Sequence, residues 1–143
     1  MPTPAINLTT TMMQAVIAAG QHVGRKGEIP VRAVIFKSDG ILLATADNEV
    51  EIRKNATAHA EVLCITQALQ KTCSKYLDDR HIAVTLEPCA TCAMALSHVR
   101  ISSVVFGAYD LKSGGTVSNA RVIQHAHHSP RSSALLRSRP VVI

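Results

Sequence analysis

The 143 residues contain no tryptophan and only two phenylalanines and two tyrosines, so any core must be built from aliphatic side chains. Charged residues are also scarce, at 17% against 47% hydrophobic, and that balance excludes a disordered chain. Long apolar runs are missing. The longest uncharged apolar stretch near the amino end, Ala15 to Ala19, is far short of the roughly 18 residues that a membrane span needs. Residues 1–30 show no basic segment followed by an apolar run, so no secretory signal is read, and a cytoplasmic protein that avoids the membrane is expected. Cysteine is limited to four residues in a chain long enough not to need staples, and two of them form Cys89-Ala90-Thr91-Cys92. Without an export signal, that spacing favours metal binding or catalysis over a disulfide. Acidic residues are absent after Asp110, although ten acids and ten bases cancel up to that point. The net charge of +5 therefore resides in Lys112, Arg121, Arg131, Arg137 and Arg139, with His125, His127 and His128 in the same stretch. Such a tail can attract phosphate backbones or simply be a solvated end.

What remains reads as one domain over residues 1–143, with no repeats and no low-complexity linker. Thr9 to Thr11 can cap a helix with apolar positions Met12, Ala15, Val16 and Ala19, ending near Gly20 or Gly24. Val31 to Phe36 and Ile41 to Thr45 read as a hairpin around Ser38-Asp39-Gly40. A polar loop, 47–55, leads to a helix from Ala58 to about Cys73, carrying Val62, Leu63, Ile65 and Leu69 at helical spacing. His81 to Leu86 is a strand, Cys89 to His98 a short helix and Ile101 to Phe106 another strand. Residues 110–120 form a Gly/Ser-rich loop, and Pro140 to Ile143 is expected to be a final strand. This alternation predicts an α/β sandwich on a mixed sheet, with a parallel crossover around Cys89.

Two segments carry the chemistry: His59-Ala60-Glu61 and Pro88-Cys89-Ala90-Thr91-Cys92. Each opens an expected helix. Cys89 and Cys92, three apart, share a helical face in a first turn whose dipole lowers a thiol's pKa. With the His59 imidazole they make three ligands for zinc, leaving a fourth tetrahedral position open, which is the catalytic arrangement. Glu61 is the expected proton shuttle, moving a proton from the attacking water to a substrate nitrogen in a deamination. Pro88 fixes the strand-to-helix turn. The alternatives are a structural site completed by Cys64 or Cys73, or a redox Cys-x-x-Cys. The His-x-Glu partner favours catalytic zinc.

At these residues the sequence resembles the zinc-dependent cytidine deaminase superfamily, with its H-x-E and P-C-x-x-C signature. Within it the match is closest to the branch of bacterial tRNA adenosine deaminases. The supporting segments are Glu28-Ile29-Pro30-Val31, Asn48, Thr57 to Glu61, Thr85 to Cys89 and Val104 to Ala108. The resemblance implies a three-layer α/β/α sandwich around a mixed five-stranded sheet, with His59, Cys89 and Cys92 as ligands of Zn2+ and Glu61 as the catalytic acid/base. It further implies substrate contacts from Asn48, Ala58 and Asp110, a homodimer, and a tRNA anticodon loop as partner. Read without the resemblance, Asn48 is equally a turn residue and Asp110 a cap.

Two departures stand against the branch. Its members usually end in a basic, aromatic-containing helix after the last strand, whereas here the sequence stops at Val141-Val142-Ile143. Arg32 also occupies a position where glycine is usual. Deamination of a free base or nucleotide (guanine, cytosine or deoxycytidylate) and a degraded RNA-binding homologue are the competing readings. An intact Glu61 speaks against the last.

Overall fold

The computed structural model describes Met13, Val16, residues 27–115 and the backbone of residues 137–140. Alternation of side chains sets the framework. In strand β1 (Arg32–Lys37), Ala33 and Ile35 face one side and Val34 and Phe36 the other, and all four are buried. Strand β2 (Leu42–Asp47) returns antiparallel to β1 through the expected turn, where Gly40 takes φ +89°. The register slips between Ile35 and Phe36. Strand β3 (Arg80–Leu86) pairs antiparallel with β1, and strand β4 (Ser103–Ala108) pairs parallel with β3. The sheet is therefore mixed, in the order β2-β1-β3-β4, as the alternation of elements predicts. Beyond β4 the backbone of Arg137–Pro140 runs parallel to it. That pairing begins three residues before the expected final strand, and residues 141–143 lie outside the described residues.

The parallel β3–β4 pair is joined through a helix, the crossover expected around Cys89. Three helices lie wholly within the described residues. Helix α1 (Val50–Arg53) is a single turn in the segment that the sequence assigns to a loop. Helix α2 (Ala60–Thr72) buries Ala60, Cys64, Ile65 and Ala68 against the sheet, and helix α3 (Ala90–His98) buries Cys92, Ala93 and Leu96. With Ala33, Ile35, Ile82, Val84, Val104 and Phe106, the four residues of α2 and Leu96 of α3 form one largely aliphatic core. Val34, Phe36, Ala83 and Val105, on the opposite face, pack with Met13 and Val16, which are both helical. Val16 belongs to the expected amino-terminal stripe. Met13 does not, and the stripe's other members lie outside the described residues.

Arg32 has a structural account. It stands opposite Asp47 across the β1–β2 pair, and its guanidinium grips that carboxylate through Nε at 2.5 Å and a terminal nitrogen at 2.7 Å. This two-point contact pins the end of β2 immediately before Asn48.

Candidate metal centre and active-site cleft

Both helices that carry the signature begin at the same end of the sheet. His59 is the N-cap residue of α2 and Cys89 that of α3, each with extended backbone and neither using its side chain as a cap. The side chains are therefore free to converge. His59 Nδ1 lies 3.3 Å from Cys92 Sγ and 3.6 Å from Cys89 Sγ. Zinc at about 2.0 Å from nitrogen and 2.3 Å from sulfur, in tetrahedral geometry, needs nitrogen–sulfur separations of about 3.5 Å. The trio fits. Among the described residues it is the cluster able to hold a metal, with all ligand atoms within 4.8 Å of one another.

Electrostatics agree with that donor set. Cys89 is held down at about 5, first by a hydrogen bond from Cys92 and then, against some burial, by His59. Cys92 is pushed up by that same hydrogen bond and by its burial. One thiolate is thus already present at neutral pH, the form that soft metals prefer. Cys64 has no share in this. It is buried on α2, and burial pushes it up to about 12, so it remains a thiol. Cys73 is exposed at the opposite end of α2. Neither of the two possible fourth ligands joins the cluster.

Glu61 is only 5% exposed, and burial drives its carboxyl above the ordinary carboxylate range, with the Cys89 charge pushing the same way. A carboxyl held in that condition is suited to accepting and returning a proton. It borders a cleft of about 170 Å³ that is also lined by Ile29, Val31, Asn48, His59, Leu86, Glu87, Cys89, Asp110 and Ser113.

The substrate-binding candidates are placed differently from one another. Asn48 is 7% exposed on the cleft wall. Its amide nitrogen donates to the Ile29 carbonyl at 3.4 Å, while its Oδ1 is buried and has no partner. Asp110 also lines the cleft, but its Oδ1 accepts from the Lys112 and Ser113 N–H groups, so it caps the 110–113 turn. Ala58 is buried beside the cleft. It donates to the Asn55 carbonyl and accepts from Glu49 N–H, but it is not a lining residue. Ile29, Val31, Leu86, Glu87 and Ser113 line the cleft without having been singled out. The first four lie inside segments that carry the resemblance, which was the available signal.

The turn after β4 closes over the metal ligand. Gly114 forms a bridge with Cys89, and Gly115 N–H donates to the Pro88 carbonyl at 2.8 Å. Because β3 and β4 are parallel, Pro88-Cys89 and the 110–115 turn leave the sheet side by side. The basic stretch from Arg121 through Arg131 lies outside the described residues, and for Arg137 and Arg139 only the backbone is described.

This imidazole, two sulfurs and buried carboxyl, on two helix starts beside parallel strands, define a zinc-dependent hydrolytic deaminase. Residues 6–108 match the family of the cytidine and deoxycytidylate deaminase zinc-binding region, and the chain belongs to that family. A tRNA-specific adenosine deaminase of Aquifex aeolicus is 42% identical over 106 residues, covering 74% of this chain and 70% of the relative. A structure solved in a study of A-to-I editing by tRNA:A34 deaminases at the wobble position superposes with a TM-score of 0.79 at 32% identity, covering 90% of this chain and 91% of that one. The guanine deaminase of Bacillus subtilis superposes with a TM-score of 0.66 at 31% identity, covering 70% of this chain and 64% of that one. No helix among the described residues is long and apolar enough to cross a membrane.

Proposed function

We propose that this deaminase converts adenosine to inosine at the wobble position of tRNA, with the anticodon loop as its macromolecular partner. The observation that carries the substrate reading is sequence identity: 42% to the Aquifex aeolicus tRNA-specific adenosine deaminase over 70% of its length, against 31% to the Bacillus subtilis guanine deaminase over 64% of its chain. An anticodon loop is single-stranded, so presenting one base to a cleft of this size costs little unstacking.

His59, Cys89 and Cys92 are the residues that hold zinc, as their mutual distances support. When bound, zinc supplies the Lewis acidity that lets a water molecule give up a proton at neutral pH. Glu61 takes that proton and delivers it to the purine. The water oxygen bonds to C6, the bond from C6 to the exocyclic nitrogen breaks, and ammonia leaves, so adenosine plus water balances inosine plus ammonia. Asn48 offers its unpartnered Oδ1 to a donor on the nucleoside; an amide at this place can also donate. Asp110 and the backbone at Ala58 flank the bound nucleotide. Leu86 and Ile29 supply apolar surface to the cleft wall.

The finer architecture belongs to the same reading. The chain forms one domain, a three-layer α/β/α sandwich with Arg137–Pro140 as the fifth strand. The parallel pairing of that segment with β4 and the helical Met13 and Val16 on the second sheet face support this. A homodimer in the cytoplasm completes the picture; four free thiols suit a reducing compartment.

The test incubates zinc-loaded protein with tRNA bearing A34 and, separately, with guanine, cytosine and deoxycytidylate, then measures inosine and ammonia. Inosine at position 34 is expected. Deamination of a free base, the second reading, is favoured by the likeness to guanine deaminase, and ammonia from guanine with inert tRNA would establish it instead. Changing Arg131, Arg137 and Arg139 to Ala should flatten the salt dependence of tRNA binding if the basic tail contacts phosphates.

A further inference from the structure

A buried carboxylate is costly unless its oxygens are satisfied. Glu28, in the segment that enters β1, is 5% exposed. Its Oε1 accepts from the Ile52 N–H at 2.7 Å, and its Oε2 is buried without a partner. Ile52 is the third residue of α1, a single turn that buries none of its own residues and whose N-cap, Glu49, makes no side-chain cap. So short a helix does not hold itself together. Glu28 therefore supplies, from a distant part of the sequence, the first-turn acceptor that α1 lacks.

The same entering segment also holds Asn48, two residues before α1. Asn48 N–H donates to the Val31 carbonyl at 3.0 Å, and its side chain donates to the Ile29 carbonyl. Glu49 N–H then donates to the Ala58 carbonyl, next to His59. The recognition segment is thus clamped at its cleft end by backbone and at its outer end by one carboxylate. Glu28 itself is not among the residues lining the cleft.

We propose that Glu28 is a positioning residue for substrate recognition: by capping α1 it fixes the Asn48 amide at the cleft wall. This rests on the reading of Asn48 as a substrate contact. Glu28→Ala should raise KM for tRNA about tenfold, the worth of one charge-assisted hydrogen bond, with bound zinc unchanged and kcat within about threefold of the parent. Glu28→Gln keeps an acceptor for Ile52 and should hold KM within about threefold. Glu28→Asp, one methylene shorter, should behave like the alanine variant. Should Glu28→Ala fail to fold, the contrast between Gln and Asp decides the matter.

In an Asn48→Ala background, Glu28→Asp should add no further rise in KM. An undiminished rise in that background would overturn the proposal, as would a loss confined to kcat or zinc content, or Gln and Asp variants alike in KM. A wild-type enzyme inert on tRNA would instead sink the substrate reading. The same cycle run on whichever base releases ammonia would then still decide the role of Glu28.

Discussion

Gly114 offers the sharpest test of how the cleft is built. A Cβ there would lie 2.1 Å from Glu87 Oε2, 2.5 Å from Glu87 Cδ and 2.5 Å from the Asp110 carbonyl oxygen. The Glu87 carboxylate is itself buried, and the Asp110 carbonyl is backbone that accepts the Gly114 N–H at 2.8 Å. Gly114→Ala must therefore lift the 110–115 turn, loosening the Gly114 bridge to Cys89 and the Gly115 hydrogen bond to Pro88. Overpacking of this kind costs about 1–3 kcal/mol, and loss of the Gly115 hydrogen bond about 1 kcal/mol more, for a total of about 2–4 kcal/mol. In a chain of this size that lowers Tm by roughly 5–15 °C. Differential scanning calorimetry of the zinc-loaded protein measures the shift, and chelator competition measures the accompanying weakening of zinc binding. Gly27→Ala is the control: φ is +76° but a Cβ meets nothing within 4 Å, so the cost should stay near the 1–2 kcal/mol of a left-handed backbone. An alanine at 114 that melts with the parent and holds zinc as tightly would refute the close approach of the turn to Cys89.

Glu61→Gln should retain one zinc per chain by elemental analysis while turnover falls by about 10²–10⁴-fold, the usual worth of a positioned acid/base. The same substitution should raise the Tm of metal-free protein at pH 7. Burial lifts the Glu61 carboxyl above its unfolded value of 4.5, so the folded state binds the proton more tightly and loses stability as pH rises through that window. Cys89→Ala should leave well under one zinc per chain and melt earlier, since ligand binding energy is also folding energy. His81, half-buried between Ser38 Oγ at 2.9 Å and Ser103 Oγ at 2.7 Å, is held below 6.5 by burial. The unfolded chain therefore takes up the proton first, and stability should fall as pH drops below 6.5, levelling off beneath the folded value. Urea titrations from pH 7.5 to 5 should show that slope in the parent and a flatter one in His81→Gln.

The parts of this molecule that were legible in the sequence are those written in periodicity or in rare side chains. Alternating Ala33 to Phe36 and Val104 to Phe106 announced strands, and Val62, Ile65 and Leu69 announced α2. The imidazole and thiols of His59, Cys89 and Cys92 were conspicuous because so few residue types bind soft metals. What stayed hidden depends on distant partners. Helix α1 buries none of its residues, and an acceptor for its first turn comes from Glu28, twenty-four residues upstream of Ile52. Glu28 and Glu87 are buried acids, and a buried glutamate is spelled like a surface one. Asp110 was readable as either a cap or a substrate contact; it occupies the cleft wall while capping its own turn. The reason for Arg32 emerged only when β2 brought Asp47 opposite it.

The distribution of the four thiols has a practical consequence. Cys64 is sealed and fully protonated, and the pair at the helix start is occupied whenever the ion is present, which leaves Cys73 open to maleimide chemistry. It terminates the thirteen-residue helix that begins beside His59, so a fluorophore attached there rides roughly 20 Å from the reaction centre. Energy transfer from that dye to a labelled anticodon stem would give a ruler for following RNA docking in real time.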